Sequence, residues 1–329
     1  MIGLRIIECG LGTSLQDIGR FGYRRFGVST SGTMDRRSAA LANALVGNVA
    51  GSAVIEFHML GGKLLVEEGP VVIATVGPQC VLRIAGKQIN KGCSARAEPG
   101  EIVEVESVRQ GVFAYVAVGG GFNLNPKLGS RSVHRRSGIG GPMLVSGAYL
   151  TVSAAPRQLM TISLPKPDTR PIRVVPGPQN DRFVNGAIKA LCSSSYVIRS
   201  NSDRMAYCLS GPALHHLGDA KFISDGVLPG SIQVPGDGQP IVLLRDCQTT
   251  GGYPKIATVI SADLDRFAQI SPGGLVHFLS VTLDQAIVAA RAAAAEQTKI
   301  LATISPAIRL PTTDTLLRLN LIDGVTDGS

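Results

Sequence analysis

The feature that most constrains the fold of this chain is a series of short β-branched runs separated by Gly, Pro and Asn clusters. Between residues 53 and 151 the runs read SAVIEF, KLLVEE, PVVIATV, CVLRIAG, EIVEVES, GVFAYVAV and AYLTVSA. Such runs at regular spacing are typical of antiparallel barrels and sandwiches. The 39 Gly and 19 Pro supply the turns that many short strands require. We therefore expect a mainly β fold.

The length of 329 residues indicates two domains, since a domain usually takes roughly 100–200 residues. Four prolines and several polar residues between positions 154 and 173 predict a linker. A second cycle of runs follows: PIRVVPG, YVIRS, AYCLSG, SIQVPG, PIVLLRD, KIATVIS and LVHFLSV. We predict an N-terminal β domain over 1–165, a C-terminal β domain over 166–292 and a helical or irregular tail over 293–329.

Three helices are expected. One spans about 35–46, with the negative charge of Asp35 near its start and Gly47 available to end it. A second spans about 180–191, and the Ala-rich segment TLDQAIVAARAAAAEQTKILATI forms the third. The residues after Ile304 show little pattern, and we expect a polar, disordered end.

Composition excludes several classes of protein. No apolar run approaches the roughly 20 residues that span a bilayer, and the first residues do not resemble a secretory signal, so we expect a cytoplasmic protein without membrane contact. The six cysteines are widely spaced and the five histidines do not cluster, which favours reduced thiols and no metal site. The net charge of +8 fits a mildly basic solvated surface, and it would also suit small anions, an acidic protein or nucleic acid. The few aromatic residues are not interleaved with the basic ones, which argues against nucleic acid.

Standard cofactor motifs are missing from the sequence. There is no GxxxxGK[ST] phosphate loop, no GxGxxG after a strand, no HExxH and no GxSxG elbow. No Met-Lys-Met-like segment is present for the attachment of biotin. If ATP or biotin takes part, this chain does not bind it through a standard motif.

Polar side chains are concentrated in four Gly-rich blocks. In the fourth, the strand PIVLL leads to Asp246 and then to a turn that Gly251 and Gly252 permit. Backbone N–H groups, Thr hydroxyls and Lys255 would suit an anion there, and Asp246 would act as a general base or orient a donor. An ordinary hairpin with a polar tip explains the same residues. The four blocks are 14–20 with 31–35, 129–136, 202–205, and 233–239 with 245–255.

The charged residues in these blocks can be interpreted as structural or as binding residues. Asp17 with Arg20, and Asp203 with Arg204, would be simple loop braces. Arg131 and its neighbours Arg135 and Arg136 would suit a carboxylate or phosphate through forked hydrogen bonds, a solvated basic face, or a partner surface. The residues alone therefore indicate anion-friendly loops and do not define a reaction.

The same blocks resemble a known family. SLQDIGRFGYRRFGVSTSGTMDRRSAALANALVGN, GSRS, PGPQ, SDRM and GSIQVPGDGQPIVLLRDCQTTGGYPKIATVISADL are similar to the biotin-dependent carboxyltransferase-like family. That family includes the C subunit of 5-oxoprolinase (KipA) and the allophanate hydrolase subunit 2 domain of urea carboxylase. The resemblance covers about residues 4–281. The chain departs from the family pattern in GVSTSG, where GVPPSG is expected, and at Cys247, where an Arg is expected.

The resemblance implies two tandem cyclophilin-like β-barrel domains with a few short helices. It also implies an ATP-dependent lactam hydrolase that converts 5-oxo-L-proline to L-glutamate, active only with two partners, the A subunit and the KipI-like B subunit of 5-oxoprolinase. The lactam is a poor electrophile, which explains the need for ATP; the ATP site would lie on, or be shared with, the partners. The site must hold a carboxylate and developing negative charge. Carried over to this chain, the catalytic residues are Asp246, Lys255 and Arg204, and the substrate-binding residues are Gln233, Gln248, Thr249, Thr250, Gly251, Gly252, Tyr253, Asp203 and Arg131.

Two other functions fit the resemblance. A carboxyltransferase component of a biotin-dependent, urea-type amide carboxylase would need biotin on another chain. A KipA-like regulatory protein would bind a KipI-like kinase inhibitor through the interface between the two proteins and would not need the polar pocket.

Overall fold

The β-branched runs of the first half form two antiparallel sheets. The computed structural model of the chain describes residues 2–153, 158–218 and 223–307. Each run named above for this half contains a strand. The strands are β1 (Ile2–Cys9), β2 (Ser14–Gln16), β3 (Val54–His58), β4 (Gly62–Glu68), β5 (Val71–Val76), β6 (Leu82–Ile84), β7 (Lys87–Ile89), β8 (Ala95–Ala97), β9 (Ile102–Val105), β10 (Phe113–Val118), β11 (Tyr149–Val152) and β12 (Met160–Thr161).

The two sheets share one apolar core. One has the order β11-β1-β4-β9-β6-β7 and the other β2-β3-β10-β5-β8. Leu4 and Leu64 of the first sheet lie in the same buried cluster as Phe57 and Val116 of the second. This is the burial pattern of two sheets packed face to face.

The runs of the second half close into a barrel. Its order is β13-β20-β17-β18-β15-β14-β21, and the parallel pair of β13 and β21 completes the circle. The mainly β fold class with a few short helices is confirmed. Outside the barrel, β16 pairs with β19, and β22 pairs with β12. The strands of the second half are β13 (Ile172–Pro176), β14 (Ser195–Ile198), β15 (Ala206–Ser210), β16 (Asp225–Gly226), β17 (Ser231–Gln233), β18 (Ile241–Leu243), β19 (Thr250–Gly251), β20 (Lys255–Val259), β21 (Leu275–Ser280) and β22 (Ser305–Pro306).

Two of the three predicted helices are confirmed. In α1 (Arg36–Leu45), Asp35 caps the N-terminus by accepting a hydrogen bond from the Ser38 amide. In α4 (Leu283–Leu301), Thr282 and Gln285 form a capping box. None of the described helices is both long and apolar enough to cross a membrane.

The helix predicted over 180–191 is wrong in its extent. The segment contains a single 3₁₀ turn at Asn180–Arg182, and α2 (Ala187–Ser193) begins only after Gly186. The φ of 85° at Gly186 is incompatible with a continuous right-handed helix. The sequence reading also missed α3 (Ser261–Ala268), which buries Leu264 and Phe267. Most of the predicted tail, residues 308–329, lies outside the described residues.

A second core joins the two halves. It includes Leu41 and Leu45 of α1, Tyr115 of β10, Ile232 of β17 and Phe267 of α3. The carboxamide of Gln269, directly after α3, accepts hydrogen bonds from the backbone amides of residues 112 and 113 at 3.0 and 2.9 Å. The halves therefore pack as one body in the described chain. The domain boundary between residues 165 and 166 stays a prediction.

Candidate functional site

The four polar blocks meet where the two halves touch. The backbone amide of Ser31 donates to the Arg245 carbonyl at 3.0 Å, and the Ser29 hydroxyl donates to the Cys247 carbonyl at 2.7 Å. His134 Nε2 lies 3.3 Å from the Asp246 carbonyl oxygen. Blocks far apart in the sequence thus surround the segment 245–248.

A tight backbone crossing fixes the first block. The Arg20 amide donates to the Thr30 carbonyl at 2.8 Å, and the Thr33 amide donates to the Asp17 carbonyl at 2.9 Å. Gly19 and Gly32, both with φ of 96°, lie at the crossing. A Cβ on either would come within 2.9 Å of the opposing backbone, so both positions require glycine.

Arg204 is the centre of what we call the arginine cluster: Arg204, Asp246 and Glu56. Its Nε and Nη2 donate to the two carboxylate oxygens of Asp246 at 2.9 and 3.2 Å, and its Nη1 donates to Glu56. Nη2 also donates to the Gly32 carbonyl at 2.7 Å. Glu56 belongs to the first half and the other two to the barrel, so one guanidinium binds the halves together.

The carboxyl group of Glu56 is fully buried on β3. It accepts from the Met34 amide at 2.8 Å and from the Tyr115 hydroxyl. Burial raises the pKa of Glu56, while the positive charge of Arg204 opposes that rise. Burial also raises the pKa of Tyr115 well above its usual value, and the negative charge of Glu56 adds to the effect.

Asp35 forms a second buried acid beside this cluster. Burial raises the pKa of Asp35 to about 6, and the negative charge of Asp265 contributes in the same direction. Its carboxylate accepts from the Ser38 amide and hydroxyl at 2.9 and 2.6 Å, and from Gln269 Nε2 at 3.0 Å. The start of α1 is therefore tied to the end of α3.

Lys255 belongs to a separate group, the lysine cluster: Lys255, Asp225 and Gln179. The buried Lys255 ammonium donates to Asp225 at 2.5 Å and to the Gly226 carbonyl at 2.7 Å. Gln179 accepts from the Lys255 amide at 3.1 Å and donates to Asp225 at 3.2 Å. The hydrogen bond from Lys255 lowers the pKa of Asp225. Among the described residues, Lys255 and Arg204 share no hydrogen-bond partner.

The turn 248–253 runs between the two clusters. Arg24 Nη2 donates to the Gln248 carbonyl at 3.0 Å, and the Thr249 carbonyl accepts from the backbone amide of residue 227 at 3.1 Å. Gln233 donates to the Tyr253 carbonyl at 3.1 Å and lies against Gly251, where a Cβ would be 2.5 Å from Gln233 Nε2. The backbone is thus anchored, while the side chains of Thr250 and Tyr253 are exposed. Gly252 is half-buried at the bend.

Two predicted residues lie at the margin. Asp203 makes an exposed ion pair with Arg136 at 3.0 Å and caps the following turn by accepting from the Met205 amide at 2.8 Å. The Arg131 side chain donates to the Leu124 carbonyl at 2.7 Å, while its amide donates to Asp17 at 2.6 Å. Their side chains make no hydrogen bond to the arginine cluster or the lysine cluster within the described residues.

The departure at Cys247 is explained by its surroundings. The side chain is fully buried and packs with Val227 and Leu243. Burial raises the pKa of the Cys247 thiol, although the nearby Arg24 guanidinium acts in the opposite direction. A neutral thiol in this place does not provide an anion contact. All six cysteines are free.

Sequence reasoning missed several members of the site. The signal for Glu56 was an acidic residue inside the apolar run VIEF, and Gln179 lies in the quoted PGPQ block. Nothing in the sequence marks Asp225 as the partner of Lys255. In residues 2–153, 158–218 and 223–307, no group of three or more His, Cys, Asp or Glu side chains is arranged to hold a metal ion.

Comparison with known protein families gives a match over most of the chain. Residues 26–280 match the family described as carboxyltransferase domain, subdomain A and B. The chain belongs to this family. The resemblance drawn from the polar blocks is thereby confirmed.

Two curated relatives are each named as the C subunit of 5-oxoprolinase. The Escherichia coli protein is 37% identical over 86% of this chain and 93% of its own length. The Haemophilus influenzae protein is 34% identical over 85% of this chain and 92% of its own length. Both matches therefore extend over nearly the whole of each relative.

A solved structure of a longer relative shares the fold. The urea amidolyase of K. lactis superposes with a TM-score of 0.83 and 27% identity over 94% of this chain. The matched part is 21% of that much longer enzyme. This member of the carboxyltransferase family therefore has the fold of one segment of a larger enzyme.

Proposed function

We propose that this chain is the C subunit of a cytoplasmic, ATP-dependent 5-oxoprolinase, which hydrolyses 5-oxo-L-proline to L-glutamate. The enzyme would be active only when this chain is assembled with the A subunit and the KipI-like B subunit. The observation that carries the proposal is the near end-to-end match with two curated proteins of that name, each covered over more than nine tenths of its length.

The arginine cluster supports a positioning role for Asp246 and Arg204. Both oxygens of Asp246 accept from Arg204, so this carboxylate is better placed to orient the guanidinium than to take a proton from water. In this proposal the pair holds the segment 245–248 against the first half. The Gly-rich turn that follows then presents its backbone amides to the substrate.

The turn 248–253 supports a substrate-binding role. Its backbone is anchored through Arg24 and Gln233, and the exposed Thr250 hydroxyl and Tyr253 phenol lie on it. Hydroxyls and amides on an anchored backbone suit a lactam, which offers a carbonyl acceptor and an N–H donor. Lys255 supports the base of the turn through Asp225.

The predicted cations do not fit an ATP site within this chain. Lys255 is neutralised by Asp225, and Arg204 lies between two carboxylates. Binding a triphosphate to either would require breaking a buried or half-buried ion pair. We therefore propose that the partner subunits provide the groups that bind ATP.

A second candidate function is favoured by one observation. The urea amidolyase structure matches almost the whole chain with a TM-score of 0.83, so a role in carboxyl transfer to an amide fits the fold. In that case a biotinylated partner would be required, because the sequence has no biotin attachment segment. Avidin would then inhibit the activity, whereas a 5-oxoprolinase would be insensitive to it.

The proposed function is tested by reconstitution. The chain is mixed with its cognate A and B subunits, ATP and 5-oxo-L-proline, and each component is omitted in turn. We expect L-glutamate only when all are present. Glutamate at an undiminished rate without this chain would refute its role as a required component of the enzyme.

A further inference from the structure

Four consecutive carbonyl oxygens in the segment 245–248 each have a hydrogen-bond partner in the first half of the chain. The partners are the Ser31 amide for residue 245 at 3.0 Å, His134 Nε2 for residue 246 at 3.3 Å, the Ser29 hydroxyl for residue 247 at 2.7 Å and Arg24 Nη2 for residue 248 at 3.0 Å. Three of these partners lie in the loop 24–31, whereas His134 lies in the block 129–136. His134 therefore brings a second loop of the first half to the same row of carbonyls.

The imidazole ring of His134 has a defined tautomer. Its Nδ1 accepts from the Ser137 amide at 3.2 Å, and because a backbone N–H only donates, Nδ1 carries no proton. The Ser137 hydroxyl lies 2.6 Å from the same nitrogen. The proton of the neutral ring is then on Nε2, which faces the Asp246 carbonyl oxygen, a group that only accepts. Contacts on opposite sides of the ring thus specify the same tautomer.

The loop that carries His134 is fixed on the first half. The Val133 amide donates to the Leu15 carbonyl at 3.0 Å, and the Val133 carbonyl accepts from Gln16 Nε2 at 2.9 Å. The His134 amide donates to the Ile139 carbonyl at 2.8 Å. His134 itself is only 9% exposed, so water competes little for its Nε2–H group. The ring therefore offers a donor whose position is set by β2 and by its own turn.

The main chain of Asp246 is held from both halves. Its amide donates to the Arg204 carbonyl at 3.0 Å on the barrel side, while its carbonyl faces His134 on the other side. Because the peptide unit is planar, the direction of this carbonyl also sets the plane of the bond to Cys247. That bond leads directly into the turn 248–253. The contact with His134 therefore bears on how the turn is oriented.

We propose that His134 is a positioning residue, whose Nε2–H group fixes the Asp246 carbonyl and through it the turn 248–253. It acts through the backbone of the segment and does not touch the substrate. Its importance for turnover rests on the proposed function, whereas the anchoring of the segment does not.

Two conservative substitutions separate the two sides of the ring. In His134→Asn the carboxamide reaches only to about the position of Nδ1, so it accepts from Ser137 and loses Asp246. In His134→Gln a carboxamide N–H reaches to about the position of Nε2, so the contact with Asp246 is kept. His277→Asn is the matched control, because His277 is exposed on β21.

The anchoring is measured without turnover, by hydrogen exchange of the chain alone and mass spectrometry of peptides that cover residues 245–250. We expect exchange there to be at least about tenfold faster in His134→Asn, and unchanged in His134→Gln and His277→Asn. Equal exchange rates in the two His134 variants, whether fast or slow, would overturn the proposal.

The tautomer is measured on the wild-type chain, which keeps the proposal testable even if a variant does not fold. The chain has five histidines, and the ring ¹⁵N signals of a histidine-labelled sample distinguish Nδ1–H from Nε2–H. We expect the Nε2–H form for the signal that the His134 variants lack. The Nδ1–H form would overturn the proposal.

Turnover is then compared in the enzyme assembled with the A and B subunits and ATP. We expect kcat/KM for 5-oxo-L-proline to fall at least about tenfold in His134→Asn and to stay within about twofold of wild type in His134→Gln. The urea midpoints of the two variants should be similar, since each keeps one of the two ring contacts. A loss of turnover that follows a loss of stability equally in both variants would show a merely structural role and overturn the proposal.

The two proposals fail in different ways. No glutamate from the wild-type assembly would remove the 5-oxoprolinase assignment and leave the exchange and tautomer results to decide on His134. Glutamate formation with the same kcat/KM in wild type and His134→Asn would retain that assignment and remove the positioning role.

Discussion

Replacing Arg204 by Met should destabilise the protein by about 4–5 kcal/mol at pH 8. The change removes the cation that compensates Glu56 and Asp246, which are 0% and 7% exposed. Breaking a buried ion pair by removing one partner typically costs about 3–5 kcal/mol. Here two carboxylates lose their partner, which places the expected cost at the upper end.

The loss should depend on pH in a defined direction. Burial raises the pKa of Glu56, and Arg204 opposes the rise, so removing Arg204 raises that pKa further. An acid whose pKa is higher in the folded state stabilises the protein below its unfolded pKa, and this stabilisation is lost as pH rises through the folded value. The deficit of Arg204→Met should therefore be smaller at pH 5 than at pH 8.

Urea unfolding at the two pH values measures both effects. Arg136→Met is the matched control, because Arg136 and Asp203 form an exposed pair with side chains 62% and 53% accessible, and we expect it to cost no more than about 1 kcal/mol. Adding Glu56→Gln to Arg204→Met should restore about 1–2 kcal/mol at pH 8 by removing one unpaired charge. A loss for Arg204→Met below about 1.5 kcal/mol, or one equal at both pH values, would refute this account of the arginine cluster.

Three further outcomes follow from the site. Asp35→Asn should leave the free energy of unfolding unchanged near pH 4 and raise it above pH 6. The pKa of Asp35 is raised to about 6, so the stabilisation from its protonated form is lost above that pH. Unfolding free energies across pH 4–8 measure this. Gln269→Ala should cost about 2–4 kcal/mol in urea unfolding, since it leaves the buried amides of Val112 and Phe113 without an acceptor. Gly32→Ala should lower the melting temperature and the activity of the assembled enzyme together, because its Cβ would lie 2.9 Å from the Ile18 backbone at a φ of 96°. Unchanged stability of Asp35→Asn above pH 6, of Gln269→Ala in urea, or of Gly32→Ala on heating would contradict the corresponding prediction.

Strands and helix caps could be predicted from the sequence where residues close together in the chain determine them. The β-branched runs form strands because their side chains pack on a pleated surface, and Asp35 caps α1 through a residue three positions away. The helix over 180–191 was misjudged because the pattern of apolar residues does not show the backbone angle of Gly186. Helix α3 was missed because eight residues give too short a period to recognise.

The site was predictable only in part, since its contacts are not local. The blocks containing Arg204 and Asp246 were identified, but their pairing with each other and with Glu56 joins positions far apart in the sequence. The same holds for Lys255 and Asp225. Whether an arginine is paired with buried carboxylates, as Arg204 is, or with an exposed one, as Arg136 is, depends on tertiary packing that composition does not encode.

The most direct test of the central claim is the rate at which labelled 5-oxo-L-proline becomes L-glutamate in the presence of ATP and the A and B subunits, with and without this chain. We predict that glutamate forms only when the chain is present and that avidin does not inhibit it. Formation of glutamate at the same rate without the chain, or no glutamate from a stable complex of all three proteins, would contradict the assignment.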